Sequence, residues 1–142
     1  MYDLKSIGSP RARELHQQII AGTIYNMWPE IVEARRWKLL GEATVTDDPN
    51  DNYPDIIIKD PHKRLVFCLE ISRSWGISYD RGKCLMLQRR FPEAEFFVYN
   101  YEKDILYRLG DDGLWYSSLD YELSSRFFER PLLDYIYLPE DD

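Results

Sequence analysis

The chain has 142 residues, of which 44% are hydrophobic and 15% aromatic, and it carries a formal net charge of −7 at pH 7. Residues 1–142 are therefore expected to form one folded domain rather than a disordered chain. No apolar run approaches the ~20 residues of a membrane helix, and Met1–Pro10 lacks the basic-then-apolar layout of a signal peptide, so a cytoplasmic protein with no membrane partner is expected. The negative charge argues against a wholly basic surface for holding nucleic acid. It leaves room for local basic stretches, Arg35-Arg36-Trp37-Lys38 and Arg89-Arg90, and for carboxylates bridged by divalent cations.

Ser9-Pro10 has the chemistry of a helix start, and a helix is expected from there to about Trp28, before Pro29. Leu15, His16, Ile19, Ile20, Thr23, Ile24 and Met27 fall within one half of its wheel, with Glu14 on the opposite side. Ile31 to Leu40 and Glu42 to Thr46 alternate like strands, with Gly41 as a break, and Asp47 to Asn52 reads as a turn-rich loop. Pro54 to Lys59 and Arg64 to Ser72 are the clearest strands, joined by Asp60-Pro61-His62-Lys63 into an antiparallel hairpin. Both strands are almost continuously apolar, so both faces of the hairpin should be covered. A helix is expected from Ile77 to Phe91, closed by Pro92, with Asp80, Lys83, Cys84, Leu87 and Phe91 on its inward stripe. Glu95–Asn100, Ile105–Leu109 and Leu114–Ser117 read as a meander of strands, followed by an aromatic tail with a short helix near Ser125–Glu129 and a final strand near Tyr135–Leu138. Cys68 and Cys84 lie in apolar segments without zinc-ligand spacing and read as buried free thiols. No Gly-x-Ser-x-Gly elbow and no Gly-rich phosphate loop is present.

The chemistry concentrates on the hairpin. A turn centred between His62 and Lys63 sets Asp55 directly opposite Glu70. Like charges so placed, with Cβ atoms roughly 5 Å apart, destabilise a sheet unless something compensates. A divalent, oxygen-seeking cation would do so. A shifted register would instead leave Asp55 as a turn residue and Glu70 as a strand-end charge. Lys83 and Asp80 occupy helix positions where an ordinary amphipathic helix places apolar residues. Lys83 could orient an attacking water or stabilise charge on phosphorus, or simply form an i, i+3 pair with Asp80. His16 sits near the middle of the apolar half of the first helix, where a core histidine is the commoner occupant. Glu42 could add a third carboxylate, although a surface glutamate is the default reading.

Pro54-Asp55, the apolar hairpin and Glu70-Ile71-Ser72 resemble the PD-(D/E)XK signature of the restriction-endonuclease-like superfamily, with Ser72 where the usual lysine stands. Together with Tyr79-Asp80-Arg81-Gly82-Lys83, Glu95-Phe96-Phe97-Val98-Tyr99 and the helix bearing Leu15-His16-Gln17-Gln18-Ile19-Ile20, the pattern over about residues 10–110 resembles the Uma-type family, a domain of unknown function grouped with bacterial endonucleases. The resemblance implies an α/β (α+β) fold with a mixed sheet flanked by helices, in αβββαβ order with extra C-terminal β-hairpins. It implies Mg²⁺ or Mn²⁺ held by Asp55, Glu70 and the backbone carbonyl of Ile71, with the missing lysine moved to Lys83 and with His16, Asp80 and Ser72 in support. The implied activity is metal-dependent phosphodiester hydrolysis, with DNA favoured over RNA. The alternative is a catalytically inactive nuclease-derived module for binding or oligomerisation, such as a homodimer. The acidic charge, the missing strand lysine and an exposed aromatic tail (Tyr121, Phe127, Phe128, Tyr135, Tyr137) would suit that reading.

Overall fold

The structure, a computed structural model, describes residues 10–42 and 54–139. The expected strand at Glu42–Thr46, apart from Glu42, and the expected Asp47–Asn52 loop fall outside the described residues. The first helix, α1, spans Pro10–Trp28, as its wheel predicts. Helical structure does not end at Pro29. A six-residue π-helical turn, Pro29–Ala34, continues the helix. The expected strand from Ile31 therefore forms only at its end, as β1, Lys38–Gly41. Inside a continuing helix, proline removes one i→i−4 hydrogen bond, and a π turn is a form that helices take where that ladder is interrupted. The turn also carries Ile31 to full burial beside Met27, which outweighs the bias of the preceding residue away from helix. Arg36, with φ +62°, ends it.

The remaining elements are β2 (Ile56–Lys59), β3 (Leu65–Ser72), a 3₁₀ turn (Ser74–Gly76), α2 (Ile77–Arg90), β4 (Glu95–Asn100), β5 (Ile105–Leu109) and β6 (Trp115–Ser117). They form one mixed six-stranded sheet in sequential order. Only β3 and β4 run parallel, because α2 forms the crossover between them. The protein is thus a mixed α/β fold with a six-stranded sheet and two α-helices among the described residues.

Strand periodicity sorts the apolar side chains into two layers. Ile56, Ile58, Phe67, Leu69, Phe97 and Tyr99 pack with Ile19, Ile20 and Met27 of α1. Ile57, Cys68, Phe96 and Val98 pack with Cys84 and Leu87 of α2. This double covering is what the unbroken apolar runs of β2 and β3 require. Both cysteines are free and buried in the α2 layer, where desolvation holds their thiols well above the usual range. No described helix is long and apolar enough to cross a membrane.

The aromatic tail departs from expectation. It forms neither the short helix near Ser125 nor the strand near Tyr135, but a 3₁₀ turn, Leu132–Asp134, between irregular stretches. The buried Glu95 carboxylate takes the Ser125 hydroxyl at 2.5 Å and the Arg126 N–H at 3.0 Å, giving this backbone partners that compete with a helical ladder. Further on, Thr23 Oγ1 accepts the Tyr137 N–H at 3.0 Å and Asn26 Nδ2 donates to the Tyr135 carbonyl at 3.0 Å, so side chains of α1 replace a neighbouring strand. Phe127, Phe128 and Tyr135 are buried rather than exposed, and Tyr135 donates to Glu30. Only Tyr121 and Tyr137 of the five remain exposed.

This docking explains Gly22 in the middle of α1, since a Cβ there would overlap the ring of Tyr137. Alanine normally gains about 1 kcal/mol over glycine in a helix. Here Gly22→Ala is expected to lose about 1–2 kcal/mol net, because the tail must shift off the helix. A thermal melt showing the variant more stable than wild type would refute that packing.

Candidate metal centre

The β2–β3 register pairs Ile56 with Leu69, Ile57 with Cys68 and Ile58 with Phe67. One residue further, it brings Asp55 opposite Glu70, as expected from the hairpin. The expectation fails only near the turn, where an irregularity at Ile58/Lys59 pairs Lys59 with Leu65. Asp55 itself lies in a bend just before β2. Its backbone N–H donates to Glu70 Oε1 at 3.2 Å, and its Oδ2 accepts the Ile71 N–H at 2.7 Å, so the two carboxylates are tied through each other's strands.

On the other side, β1 pairs antiparallel with β2, ending at Gly41 opposite Ile56. The next residue, Glu42, adopts φ +52° and donates its N–H to the Asp55 carbonyl at 2.8 Å. That left-handed conformation is costly for a non-glycine residue and turns the chain out of the strand. Its side chain is held by Gln17 Nε2, 3.2 Å from Glu42 Oε1. Glu42, Asp55 and Glu70 thus occupy one row across three neighbouring strand ends.

His16 of α1 closes the row. Its Nε2 lies 3.1 Å from the Ile71 carbonyl oxygen and 3.3 Å from Asp55 Oδ2. The hydrogen bond to Asp55 raises the imidazole above its usual value against the opposing effect of burial. Donor atoms of His16, Glu42 and Asp55 all lie within 4.8 Å of one another. Two oxygens on opposite sides of one octahedral cation about 2.1 Å from each are about 4.2 Å apart. Small rotamer changes would therefore bring this set to one ion, and an imidazole with carboxylates is a chemically suitable donor set for Mn²⁺ and, through the oxygens, Mg²⁺.

Glu70 faces the other layer. Its side chain is 2% exposed, and its Oε2 lies 2.8 Å from Lys83 Nζ, its ion-pair partner among the described residues. Burial and the charge of Asp55 push the Glu70 carboxyl up, to about 8, against the pull of Lys83. Burial, the largest single influence, lowers Lys83, but the charge and hydrogen bond of Glu70 together with the charges of Asp80 and Asp55 outweigh it and leave the ammonium more firmly protonated than usual. Asp80 Oδ1 lies 4.0 Å from the same ammonium, and burial raises its carboxyl although the Ser72 hydroxyl opposes the shift. Lys83 is therefore more than an i, i+3 partner of Asp80; it is the counter-ion of the buried Glu70. The Ser72 hydroxyl donates to the Arg73 carbonyl at 3.2 Å.

Of the residues singled out from sequence, Asp55, Glu70, Ile71, His16, Lys83, Asp80 and Ser72 all gather at this end of the sheet. The side chains close enough together to hold a cation are His16, Glu42 and Asp55, not the expected set of Asp55, Glu70 and Ile71, and Glu70 is turned to Lys83. Glu14 is exposed. Beside the cluster opens a cleft of about 380 Å³ lined by His16, Ile71 and Asp80 together with Trp75, Tyr79 and Tyr101. Trp75 and Tyr79 are 60% and 74% exposed, and Lys83 Nζ lies 5.9 Å from the Tyr79 ring centre. The sequence pattern gives no sign of this aromatic rim, which the 3₁₀ turn before α2 creates.

No protein-family model matches the chain, and no curated protein matches it.

Proposed function

We propose that the protein is a Mg²⁺- or Mn²⁺-dependent phosphodiesterase with a restriction-endonuclease-like core, acting on DNA. The observation that carries this reading is the row of Glu42, Asp55 and Glu70 across three strand ends, with His16 and the ammonium of Lys83 on either side. Like charges so placed oppose folding of that edge, and here they are met from two sides, by Lys83 at Glu70 and by His16 at Asp55, with Glu42 alongside.

A bound cation would be held by Asp55 with Glu42 and His16, and by Glu70 or the Ile71 carbonyl after small side-chain movements. It would supply Lewis acidity at a phosphoryl oxygen and a more acidic water. The protein's own groups complete the chemistry. Lys83, held by Glu70, presents a fixed positive charge beside the cleft, suited to stabilising charge that builds on phosphorus during in-line attack. Trp75 and Tyr79 offer flat faces on which a base can stack, fixing the scissile bond relative to Asp55. The burial of Phe127, Phe128 and Tyr135 withdraws three of the five tail aromatics on which an oligomerisation module would have relied.

The direct test is divalent-dependent cleavage of plasmid and single-stranded DNA by the wild-type protein and by Asp55→Asn. Equal activity in both would remove this site from the reaction.

A pH dependence follows from the same geometry. His16 and Glu70 both hold protons to higher pH than usual, and a cation must displace those protons to use the groups as ligands. Apparent Mn²⁺ affinity is expected to rise with pH from 6 toward 8, by up to about tenfold per pH unit for each proton released. Calorimetry in buffers of different ionisation enthalpy would count the protons. Affinity that falls over this range would contradict the assignment.

A further inference from the structure

The opposite end of the same strands carries a second feature, with charge of the other sign. A groove of about 830 Å³ runs there, and its walls hold Lys38, Lys59, Lys63, Arg64, Arg90 and Arg126 against two carboxylates, Asp60 and Glu93. In a chain of net charge −7, this is a concentrated excess of positive charge. It also gathers Trp37-Lys38 and Arg90 from the two basic stretches that the metal centre leaves unused.

The lysines are not structural ion-pair partners. Lys38 and Lys59 are direct cross-strand neighbours in the β1–β2 ladder, an arrangement that destabilises a sheet for like charges. No ion pair or side-chain hydrogen bond to the ammonium of Lys38, Lys59 or Lys63 occurs among the described residues. Asp60, the carboxylate nearest them in sequence, is already committed. It binds Arg64 Nε at 2.8 Å and accepts the N–H groups of His62 and Arg64 at 2.9 and 3.0 Å. The groove is lined on its apolar side by Trp37, Phe91 and Phe127. The Arg126 guanidinium lies 4.9 Å above the Phe127 ring centre.

We propose that this groove binds the phosphodiester backbone of a nucleic-acid strand, without reading its sequence. Unpaired ammonium groups neutralise phosphates as point charges, and the rings of the wall are already covered by arginines, Arg35 at 5.0 Å over Trp37, Arg90 at 5.2 Å over Phe91 and Arg126 at 4.9 Å over Phe127, so the groove suits backbone phosphates rather than stacked bases. A planar lipid surface would meet the rim of a concave groove but not its walls. The groove is separate from the metal centre. Lys59 lies four residues along β2 from Asp55, about 13 Å away at strand rise, so a strand held there is anchored and not attacked. The proposal rests on these charges and does not depend on the metal centre being catalytic.

The test is fluorescence anisotropy of a labelled 20-nucleotide single strand and its duplex with the full-length protein in EDTA, between about 50 and 200 mM salt. The triple variant Lys38→Gln, Lys59→Gln, Lys63→Gln is expected to bind at least tenfold more weakly. The slope of log K against log salt should become shallower by about 2–3, at roughly 0.7–0.9 for each phosphate that is no longer neutralised. Lys103→Gln, an exposed lysine in the β4–β5 turn, should bind as wild type. Thermal melts matching wild type establish that the variants are folded. An unchanged affinity and slope in the triple variant would overturn the proposal. So would displacement of the DNA by poly-glutamate at equal charge concentration, which would assign the groove to an acidic polypeptide. Loss of cleavage in Asp55→Asn leaves this binding measurement unaffected, so failure of one reading is distinguishable from failure of the other.

Discussion

Asp55→Asn is expected to lower divalent-dependent DNA cleavage on the order of a thousandfold, about 4 kcal/mol of transition-state stabilisation. The expectation follows from the central place of Asp55, between Glu42 and Glu70 and against His16. Asparagine keeps an oxygen able to accept the Ile71 N–H that Asp55 Oδ2 now accepts at 2.7 Å, so the strand ends stay joined. It removes the negative charge on which cation affinity depends. Without metal, the variant should melt at or slightly above the wild-type temperature, since one of three neighbouring carboxylates has been neutralised. With excess Mn²⁺ the order should reverse, because only the wild type gains binding energy that its unfolded chain lacks. Equal Mn²⁺ stabilisation of both proteins would show that the ion binds elsewhere.

Lys83→Met should produce the largest loss of stability. The variant leaves a Glu70 carboxylate, 2% exposed, without its ammonium partner at 2.8 Å. Leaving an ionised member of a buried pair without its partner typically costs about 3–5 kcal/mol, a cost reached here as Glu70 ionises above about pH 8. The double variant Lys83→Met, Glu70→Gln should recover most of that, because a neutral amide removes the uncompensated charge and its oxygen can still accept the Asp55 N–H. The pH dependence has a definite sign. Burial already raises Glu70 above its ordinary 4.5, and removal of Lys83 raises it further. A group raised in the folded state gives stability that is fully present below the unfolded value and is lost as pH rises through the folded value. Wild type and variant should therefore lose stability in parallel between about pH 4.5 and 8, and the deficit of Lys83→Met should widen only above about pH 8, where Glu70 ionises in the wild type alone, as chemical denaturation at several pH values would measure. A deficit independent of pH and not recovered in the double variant would mean that Lys83 acts through packing alone.

Much of this arrangement was legible in the residues. The hairpin register could be counted from the turn, because a side-chain period of two leaves few alternatives once both faces are buried. The inward stripe of α2 likewise placed Lys83 toward the sheet without any knowledge of what it met. His16 was visible as a polar residue on an apolar helix face, but its partners, 55 and 39 positions away in sequence at Ile71 and Asp55, were not. Nothing local in the sequence marks Glu42 as more than a surface residue, for a specific reason. Its position opposite Asp55 requires the β1–β2 register, and β1 was misplaced because Ile31-Val32 looks alike as strand or buried helical turn over so short a run. The tail was misread for a related reason. Its backbone is satisfied by Glu95, Thr23 and Asn26, none of which local propensity can reveal. The basic groove was visible only in fragments, because its lysines come together through the ladder and the β2–β3 turn.

The most direct test of the metal centre is the anomalous difference density of a crystal soaked in Mn²⁺. The account predicts a peak about 2.1–2.2 Å from an Asp55 carboxylate oxygen, within reach of His16, Glu42 or the Ile71 carbonyl, and absent from Asp55→Asn crystals. A soaked crystal at millimolar Mn²⁺ with no peak at Asp55, or with its only peaks at unrelated surface carboxylates, would contradict it.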